Sequence, residues 1–292
     1  MSKTIDIVIP YVNCRDKIWR DNFVKTCMRY APKRVSSMNG ARFNDDIHLI
    51  YYQLQLITKN MPWINKIYLL LSNKEQIIPQ LLPKNCEIVL HKDFIPYKYL
   101  PTFNSCTIEM FLWNIPNLSE YFIYANDDML PIKPLKPSDF FYENRIRMNF
   151  HKEIWDTKST EFKNQCYNSY HCMLDKVEPI RFGEFIYPYH SMTPMIKSHC
   201  EIAYNNAREY IEKTIRPFRT MYQCNQYIYP IYELLYYDCL ESKIPFYYTQ
   251  LDEENINIFM KNVENASIIC PNMVANKMYL VELVKYLEIL CK

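Results

Sequence analysis

The chain has 292 residues, 49% of them hydrophobic, and its 34 basic and 32 acidic side chains leave a formal charge of +2. That composition suits one large domain or two small ones and excludes a disordered chain. The charge balance gives no electrostatic case for a nucleic-acid partner or for an acidic membrane surface.

Gly40 and Gly183 are the only glycines. Neither a GxGxxG fingerprint nor a Walker A loop can be built from them, so any nucleotide phosphates must be held by side chains or by a metal. The 11 cysteines are odd in number and include no CxxC pair, which predicts reduced, mostly buried thiols of a cytosolic protein rather than a disulfide framework. The six histidines show no metal-type spacing. No signal peptide is recognised, and no apolar stretch reaches the roughly 18 residues that span a bilayer.

In chain order, Ile5 to Val12 is an apolar, β-branched run that reads as a buried strand. Asp16 follows in a loop, with helical spacing up to about Arg29. Asn44 to Met61 reads as a long helix, with Asn44 or Asp45 as N-cap, Leu49, Tyr52, Leu56 and Ile57 on one face, and Pro62 as its stop. Lys66–Leu71 is a second strand ending in Ser72-Asn73, and Glu87–His91 a third. Asn104-Ser105 can cap a helix to about Trp113. Tyr121–Ala125 is a fourth strand, followed at once by Asn126-Asp127-Asp128. The stretch 143–182 is polar and aromatic with weak periodicity and reads as an insertion or lid. Helical patterns return at Lys197–Tyr210, at about Gln223–Leu240 and at Lys277–Leu290, with a short strand at Ser267–Cys270.

Strands alternating with helices predict an α/β fold, with a mostly parallel sheet, helices on both faces and a helical C-terminal part. The expected organisation is one catalytic domain: an α/β core over 1–142, the insertion over 143–182, and a part completing the site over 183–292. Ligands of such sheets bind beyond the carboxyl ends of the strands. Asn13 to Asp16, Ser72-Asn73 and Asn126 to Asp128 all fall there.

Adjacent carboxylates at Asp127 and Asp128 can bind a divalent cation, which can in turn hold a diphosphate; the bland alternative is a turn whose side chains cap local backbone. His190, in a loop flanked by prolines, is a candidate general base or a structural histidine. Arg216 and Arg219 have the fork that binds phosphate, or are solvated charges beside a helix start. Asn13 and Asp16 could touch a nucleotide or sugar, or cap the next helix, and Asn272 carries the same ambiguity. Arg42 and Asp46 could form a surface ion pair. The apolar stripe of the last helix could dock on a membrane, but such stripes more often pack on their own domain.

The order of these clusters adds a resemblance. Ile5-Asp-Ile-Val-Ile-Pro-Tyr-Val-Asn13-Cys-Arg-Asp16 resembles the first conserved region of the Stealth family, which includes bacterial capsular polysaccharide phosphotransferases and the catalytic subunit of the lysosomal-enzyme N-acetylglucosamine-1-phosphotransferase. A longer match begins at Arg42-Phe-Asn-Asp-Asp-Ile-His-Leu and runs through Met61-Pro-Trp, His91-Lys-Asp93, Leu100-Pro-Thr-Phe-Asn-Ser105 and Ile108-Glu109. It closes at Phe122-Ile-Tyr-Ala-Asn-Asp-Asp-Met129 and Asp139-Phe-Phe141. His190-Ser-Met-Thr-Pro194 with Phe218-Arg219 is similar to the third region. Ser267–Asn272 is similar to the fourth, although Met273 stands where the family has Asp.

The resemblance implies a nucleotide-sugar-binding core, GT-A-like or Rossmann-like. It also implies transfer of a sugar-1-phosphate from a nucleotide sugar, a UDP-sugar first among them, to a hydroxyl of a glycan or glycolipid in capsule synthesis. By that match Asp127 and Asp128 are catalytic and hold Mg²⁺ (or Mn²⁺), His190 is the base and Arg219 stabilises phosphate. Asn13, Asp16, Arg42, Asn104, Asn126 and Asn272 belong to the substrate side. The expected location is the cytoplasm, with room for peripheral association at the inner face of the plasma membrane. Two other readings stay open: a Leloir glycosyltransferase using the same carboxylates, and a non-enzymatic glycan-binding relative, which Met273 favours and His190 and Arg219 oppose.

Overall fold

The structure is a computed structural model, and it describes residues 3–39, 48–174, 182–250, 256–272 and 277–292. Its centre is a five-stranded sheet built from β1 (Ile5–Pro10), β2 (Ile67–Leu71), β3 (Cys86–Leu90), β4 (Tyr121–Tyr124) and β10 (Thr193–Ile196), in the order β10-β4-β1-β2-β3. All pairings are parallel except that of β10 with β4, which sets Thr193 opposite Tyr124. The expected parallel sheet is therefore present, with an antiparallel edge strand supplied by the C-terminal part of the chain.

Strand alternation divides the core. Val8, Tyr68, Leu70, Phe122 and Tyr124 face one apolar cluster, and Ile7, Ile9, Ile67, Leu69 and Ile123 face another. Helices cover both faces. Helix α1 (Lys17–Tyr30) is capped by Asp16, and α2 (Leu49–Asn60) buries Ile50, Leu54 and Ile57 against the second cluster. Short helices α3 (His91–Phe94), α4 (Ser105–Glu109) and α5 (Pro137–Phe140) follow the strands, and Phe141–Tyr142 (β6) pairs with Arg145–Ile146 (β7). Helix α2 begins later than its apolar spacing suggests, because His48 has φ +50° and cannot be helical. Asn44, Asp45, Asp46 and Arg42 lie outside the described residues.

The described part of the stretch 143–182 is regular structure packed into the core. Its strand β8 (Phe150–Ile154) pairs antiparallel with β9 (Glu184–Pro188), and its helix α6 (Glu161–Met173) buries Cys166, Tyr167, Cys172 and Met173 in the first cluster. Buried Asn164, Gln165 and Asn168 on α6 hid the helical period from the sequence. Each spends its amide on a backbone carbonyl: Asn164 on Ser159 and Thr160, Gln165 on Thr220, Asn168 on Met221 and Gln223.

The C-terminal part is helical, with α7 (Lys197–Asn206), α8 (Arg208–Thr214), α9 (Ile228–Tyr236), α10 (Ile256–Asn265) and α11 (Lys277–Cys291). It also forms a second sheet in which β12 (Ile268–Asn272) lies between β11 (Phe246–Gln250) and β5 (Leu130–Pro131). Leu283 and Leu287 of α11 are buried against Leu56 of α2 and Phe259 of α10, so that apolar stripe packs on its own domain. Among the described residues no helix is long and apolar enough to cross a membrane. All 11 cysteines are free thiols and most are buried.

Two buried polar groups give stability predictions. The Asp6 carboxylate is fully buried and accepts from Asn65 Nδ2 (2.9 Å), Lys66 N (3.1 Å) and Ser119 N (2.8 Å), tying β1 to the turns before β2 and β4. Asp6→Ala strands three donors and is expected to cost about 3–5 kcal/mol in chemical denaturation; a loss below about 1 kcal/mol would show that water replaces the carboxylate.

His91 is buried with Nε2 unpartnered, and burial depresses its pKa to about 4. The unfolded imidazole titrates near 6.5, so the folded state binds fewer protons between those values. Stability is complete above that pH and declines as pH falls, by about 2 kcal/mol at pH 5. Urea denaturation of wild type and His91→Gln at pH 7.5 and 5 checks this: the variant should lose less on acidification.

Candidate active site

The site begins where β1, β2 and β4 end side by side. Beyond β1, the Asp16 carboxylate accepts from Trp19 N (2.7 Å), which starts α1, and from Asn73 Nδ2 (3.0 Å), which follows β2. The Asn13 side chain accepts from Arg15 N (3.0 Å) and shapes the same loop. Two of the three polar clusters expected at the strand ends are thus in direct contact.

The third, Asn126-Asp127-Asp128, forms a turn closed by Met129 N donating to Asn126 O (3.1 Å). Gln53, buried on α2, braces it from below: its amide donates to Asn126 O (2.6 Å) and Met129 O (2.7 Å). Gln53 thus holds the backbone of the turn at both ends. Asp128 Oδ1 is buried and has no hydrogen-bond partner, an arrangement that costs free energy unless a ligand satisfies it.

Strand pairing brings His190 to the same place. Because β10 runs antiparallel to β4, the loop preceding it lies at the carboxyl end of β4. His190 Nε2 is 3.3 Å from Asn126 Nδ2, and Nδ1 is 3.0 Å from the Tyr227 hydroxyl. An amide nitrogen can only donate, so in this arrangement Nε2 holds the lone pair and Nδ1–H donates to Tyr227. Burial lowers the His190 pKa; the Asp128 carboxylate opposes that and Arg219 adds to it. The net direction keeps the ring neutral, as a base requires. Tyr227 is itself pushed well above the ordinary phenol range by burial and stays protonated. Phe162 of α6 and Tyr248 of β11 meet the imidazole edge-on, with centroids 6.3 and 5.6 Å away.

Arg219 completes the group. Its guanidinium hydrogen-bonds the Ser105 hydroxyl at the start of α4 and is drawn to Glu109 and Glu161. Glu109 is buried beneath it, accepting from Tyr124 Oη (3.2 Å) and Gln226 N (3.0 Å). Burial raises the Glu109 pKa, against the pull of Arg219.

The other candidates fare differently. Asn104 is buried: it caps α4 by accepting from Cys106 N (3.1 Å) and donates to Arg216 O and Gln223 Oε1 (3.0 Å each). Arg216 donates to the nearby carbonyls of Lys213 and Ile215 (3.0 and 2.7 Å). Asn272 closes β12, which runs antiparallel to β5 with Ile269 opposite Leu130. This direction leads β12 towards the carboxylate turn, and the Cys270 thiol meets Asp128; burial and that carboxylate hold the thiol well above its usual pKa. The fourth motif therefore reaches the site. Arg42 lies outside the described residues.

Sequence reading missed Gln53, Tyr227 and the placement of Glu109. Gln53 had a usable signal, a polar residue on the apolar face that holds Ile50, Leu54 and Ile57. Tyr227, one of 26 tyrosines, had none.

A divalent cation fits this donor set in part. Asp127 and Asp128 are adjacent and Asp128 presents a buried unpartnered oxygen, so substrate phosphates and water would complete the shell; no cluster of three or more His, Cys, Asp or Glu is found among the described residues.

Residues 42–149 match the family model described as Stealth protein CR2, conserved region 2. A capsular polysaccharide phosphotransferase of Neisseria meningitidis is 32% identical over 249 residues, covering 80% of this chain and 65% of that protein. Another from Haemophilus influenzae is 38% identical over 152 residues, 50% of this chain and 40% of its own length. One from Streptococcus pneumoniae is 33% identical over 168 residues, 56% and 49% respectively. The chain thus spans less than two thirds of the length of these relatives. With residues 42–149 matching that conserved region across the Asp127-Asp128 turn and one relative similar over four fifths of the chain, this protein belongs to the Stealth family.

Proposed function

We propose that the chain is a phosphotransferase of capsule synthesis that moves a sugar-1-phosphate from a nucleotide sugar, a UDP-sugar first among candidates, to a glycan hydroxyl. The observation that carries this reading is the convergence of the unpartnered Asp128 oxygen, the neutral His190 and the Arg219 guanidinium at the strand ends. The names of the relatives support it.

In the proposed reaction the acceptor oxygen attacks the sugar-bearing phosphorus and forms a new P–O bond. The bond from that phosphorus to the bridging oxygen breaks, and the nucleoside monophosphate leaves with that oxygen. His190 Nε2 takes the acceptor proton, and Tyr227 holds the tautomer that makes this possible. Arg219, fixed by Ser105, compensates charge on the phosphoryl oxygens. Mg²⁺ or Mn²⁺ bound at Asp127 and Asp128 would supply further neutralisation of the diphosphate. Asn13 and Asp16 would border the nucleotide side. The proposed setting is the cytoplasm.

The decisive experiment incubates the protein with Mg²⁺ and a nucleotide-sugar panel, with and without capsular oligosaccharides, and identifies the released nucleotide. Monophosphate is expected. Release of diphosphate alone would mean attack at the anomeric carbon, and thus a Leloir glycosyltransferase.

A further inference from the structure

The near-neutral total charge is unevenly distributed along the chain. Residues 15–34 carry seven basic side chains against two acidic ones, Asp16 and Asp21, an excess of five, so the remainder of the chain is net acidic. Asp16 is already engaged with Trp19 N and Asn73. This basic segment forms α1 and the 3₁₀ helix that follows it, Pro32–Asn39. Helical periodicity sorts α1 into two faces. Trp19, Phe23, Thr26 and Cys27 are buried, and Phe23 meets Phe103 and Phe218 edge-on, with centroids 5.2 and 5.6 Å away. Ile18, Asp21, Asn22, Lys25, Met28 and Arg29 form the outward face, and exposed Lys17 and Lys33 extend it at either end.

Two properties of this face coincide. Lys17, Lys25, Arg29 and Lys33 enter no salt bridge among the described residues, so their charges reach solvent unneutralised. Among them stand large apolar side chains: Ile18 is 46% exposed, Met28 64% and Tyr30 55%. A charged helix face is ordinarily just solvated, and single exposed apolar residues are common. The two together fit a bilayer with anionic headgroups, which attract the cations while the boundary with the acyl chains takes up Ile18, Met28 and Tyr30. The lysine stems lie along that boundary with their ammonium groups at the phosphates. A soluble polyanion would use the charges and gain nothing from the apolar residues. The apolar stripe of α11 is spent on its own domain, which leaves α1 as the helix with an uncovered amphipathic face.

We propose that the outward face of α1, with the start of the following 3₁₀ helix, docks the protein on an anionic lipid bilayer. The face is tied to the candidate active site. Asp16 caps α1 at the strand ends, and the inner face of the helix rests on Phe218, the neighbour of Arg219. Beyond α1, Arg34 donates to the Arg219 carbonyl (2.9 Å) and lies over the Phe218 ring. The helix that meets the bilayer is therefore the one that braces the phosphate-binding arginine, so docking would hold the site beside the lipid surface.

The test sediments the full chain with vesicles of phosphatidylcholine alone and of equal parts phosphatidylcholine and phosphatidylglycerol. Binding to the anionic vesicles should be tighter by about tenfold or more. Labelling of lysines with acetic anhydride, read by mass spectrometry, should show those vesicles protecting Lys17, Lys25 and Lys33 of the wild type. Lys25→Gln combined with Arg29→Gln should weaken vesicle binding about tenfold or more, and Ile18→Ser combined with Met28→Ser about fivefold. Polyphosphate, a soluble polyanion, should bind the Ile18 and Met28 variant as it binds the wild type. No vesicle binding, equal binding to both vesicle types, or protection of other lysines but not these three overturns the proposal. So does vesicle binding that the Ile18 and Met28 substitutions leave unaltered, which would mark the face as a site for soluble polyanions. The labelling arm needs no substitution, so a variant that fails to fold does not blunt it. No nucleotide sugar is present, so the outcome is independent of the phosphotransfer reading.

Discussion

Asp128→Asn is expected to lower turnover by about a thousandfold or more, roughly 4 kcal/mol of transition-state stabilisation, while the thermal melt stays at or slightly above that of the wild type. The two halves have one cause. A buried carboxylate oxygen without a partner is a cost to the folded protein and an asset only when a cation or phosphate-bearing substrate arrives. Asn keeps the shape and removes the charge, so it relieves the first and loses the second. The turn itself survives, since Gln53 holds its backbone at Asn126 and Met129. Monophosphate release and scanning calorimetry on the same preparations check both halves. A melt several degrees lower would mean that Asp128 is structural, and near-normal turnover would remove it from the mechanism.

His190→Ala should reduce turnover by about 10²–10⁴-fold, the range of a lost general base, with nucleotide-sugar affinity nearly unchanged because in the proposed reaction the base meets the acceptor hydroxyl and not the donor. The wild-type rate supplies a second check. The base must be neutral, and burial places its pKa below the ordinary 6.5 despite the Asp128 charge. The rate should therefore be flat at neutral pH and fall only in acid, as Nε2 takes a proton. An acid limb well above pH 6.5 would identify a different base. Tyr227→Phe, which removes only the acceptor for Nδ1–H, should show a smaller loss of turnover than His190→Ala.

The α6 segment shows why part of the fold was hidden. Its buried face carries Asn164, Gln165, Asn168 and Ser169 among Cys166 and Tyr167, so an apolar-period test scores it as loop. The amides are buried because the carbonyls of 159–160 and 220–223 need donors there, and those of 220–223 are distant in sequence. The start of α2 misled in the opposite sense: its apolar period is genuine, but with the left-handed backbone at His48 the helix begins later than composition suggests.

By itself the sequence determined β1 to β4 and β12, the caps at Asp16 and Asn104, and the order of motifs that marks the family. These depend on residues a few positions apart, where side-chain period and capping chemistry act directly. Only the tertiary structure decided which residues meet. Antiparallel pairing of β10 with β4 carries His190 to Asn126, β12 brings Cys270 to Asp128, and α2 and α9 deliver Gln53 and Tyr227 to the same few ångströms. Each contact spans dozens of residues or more and is set by sheet register and core packing, which local sequence does not encode.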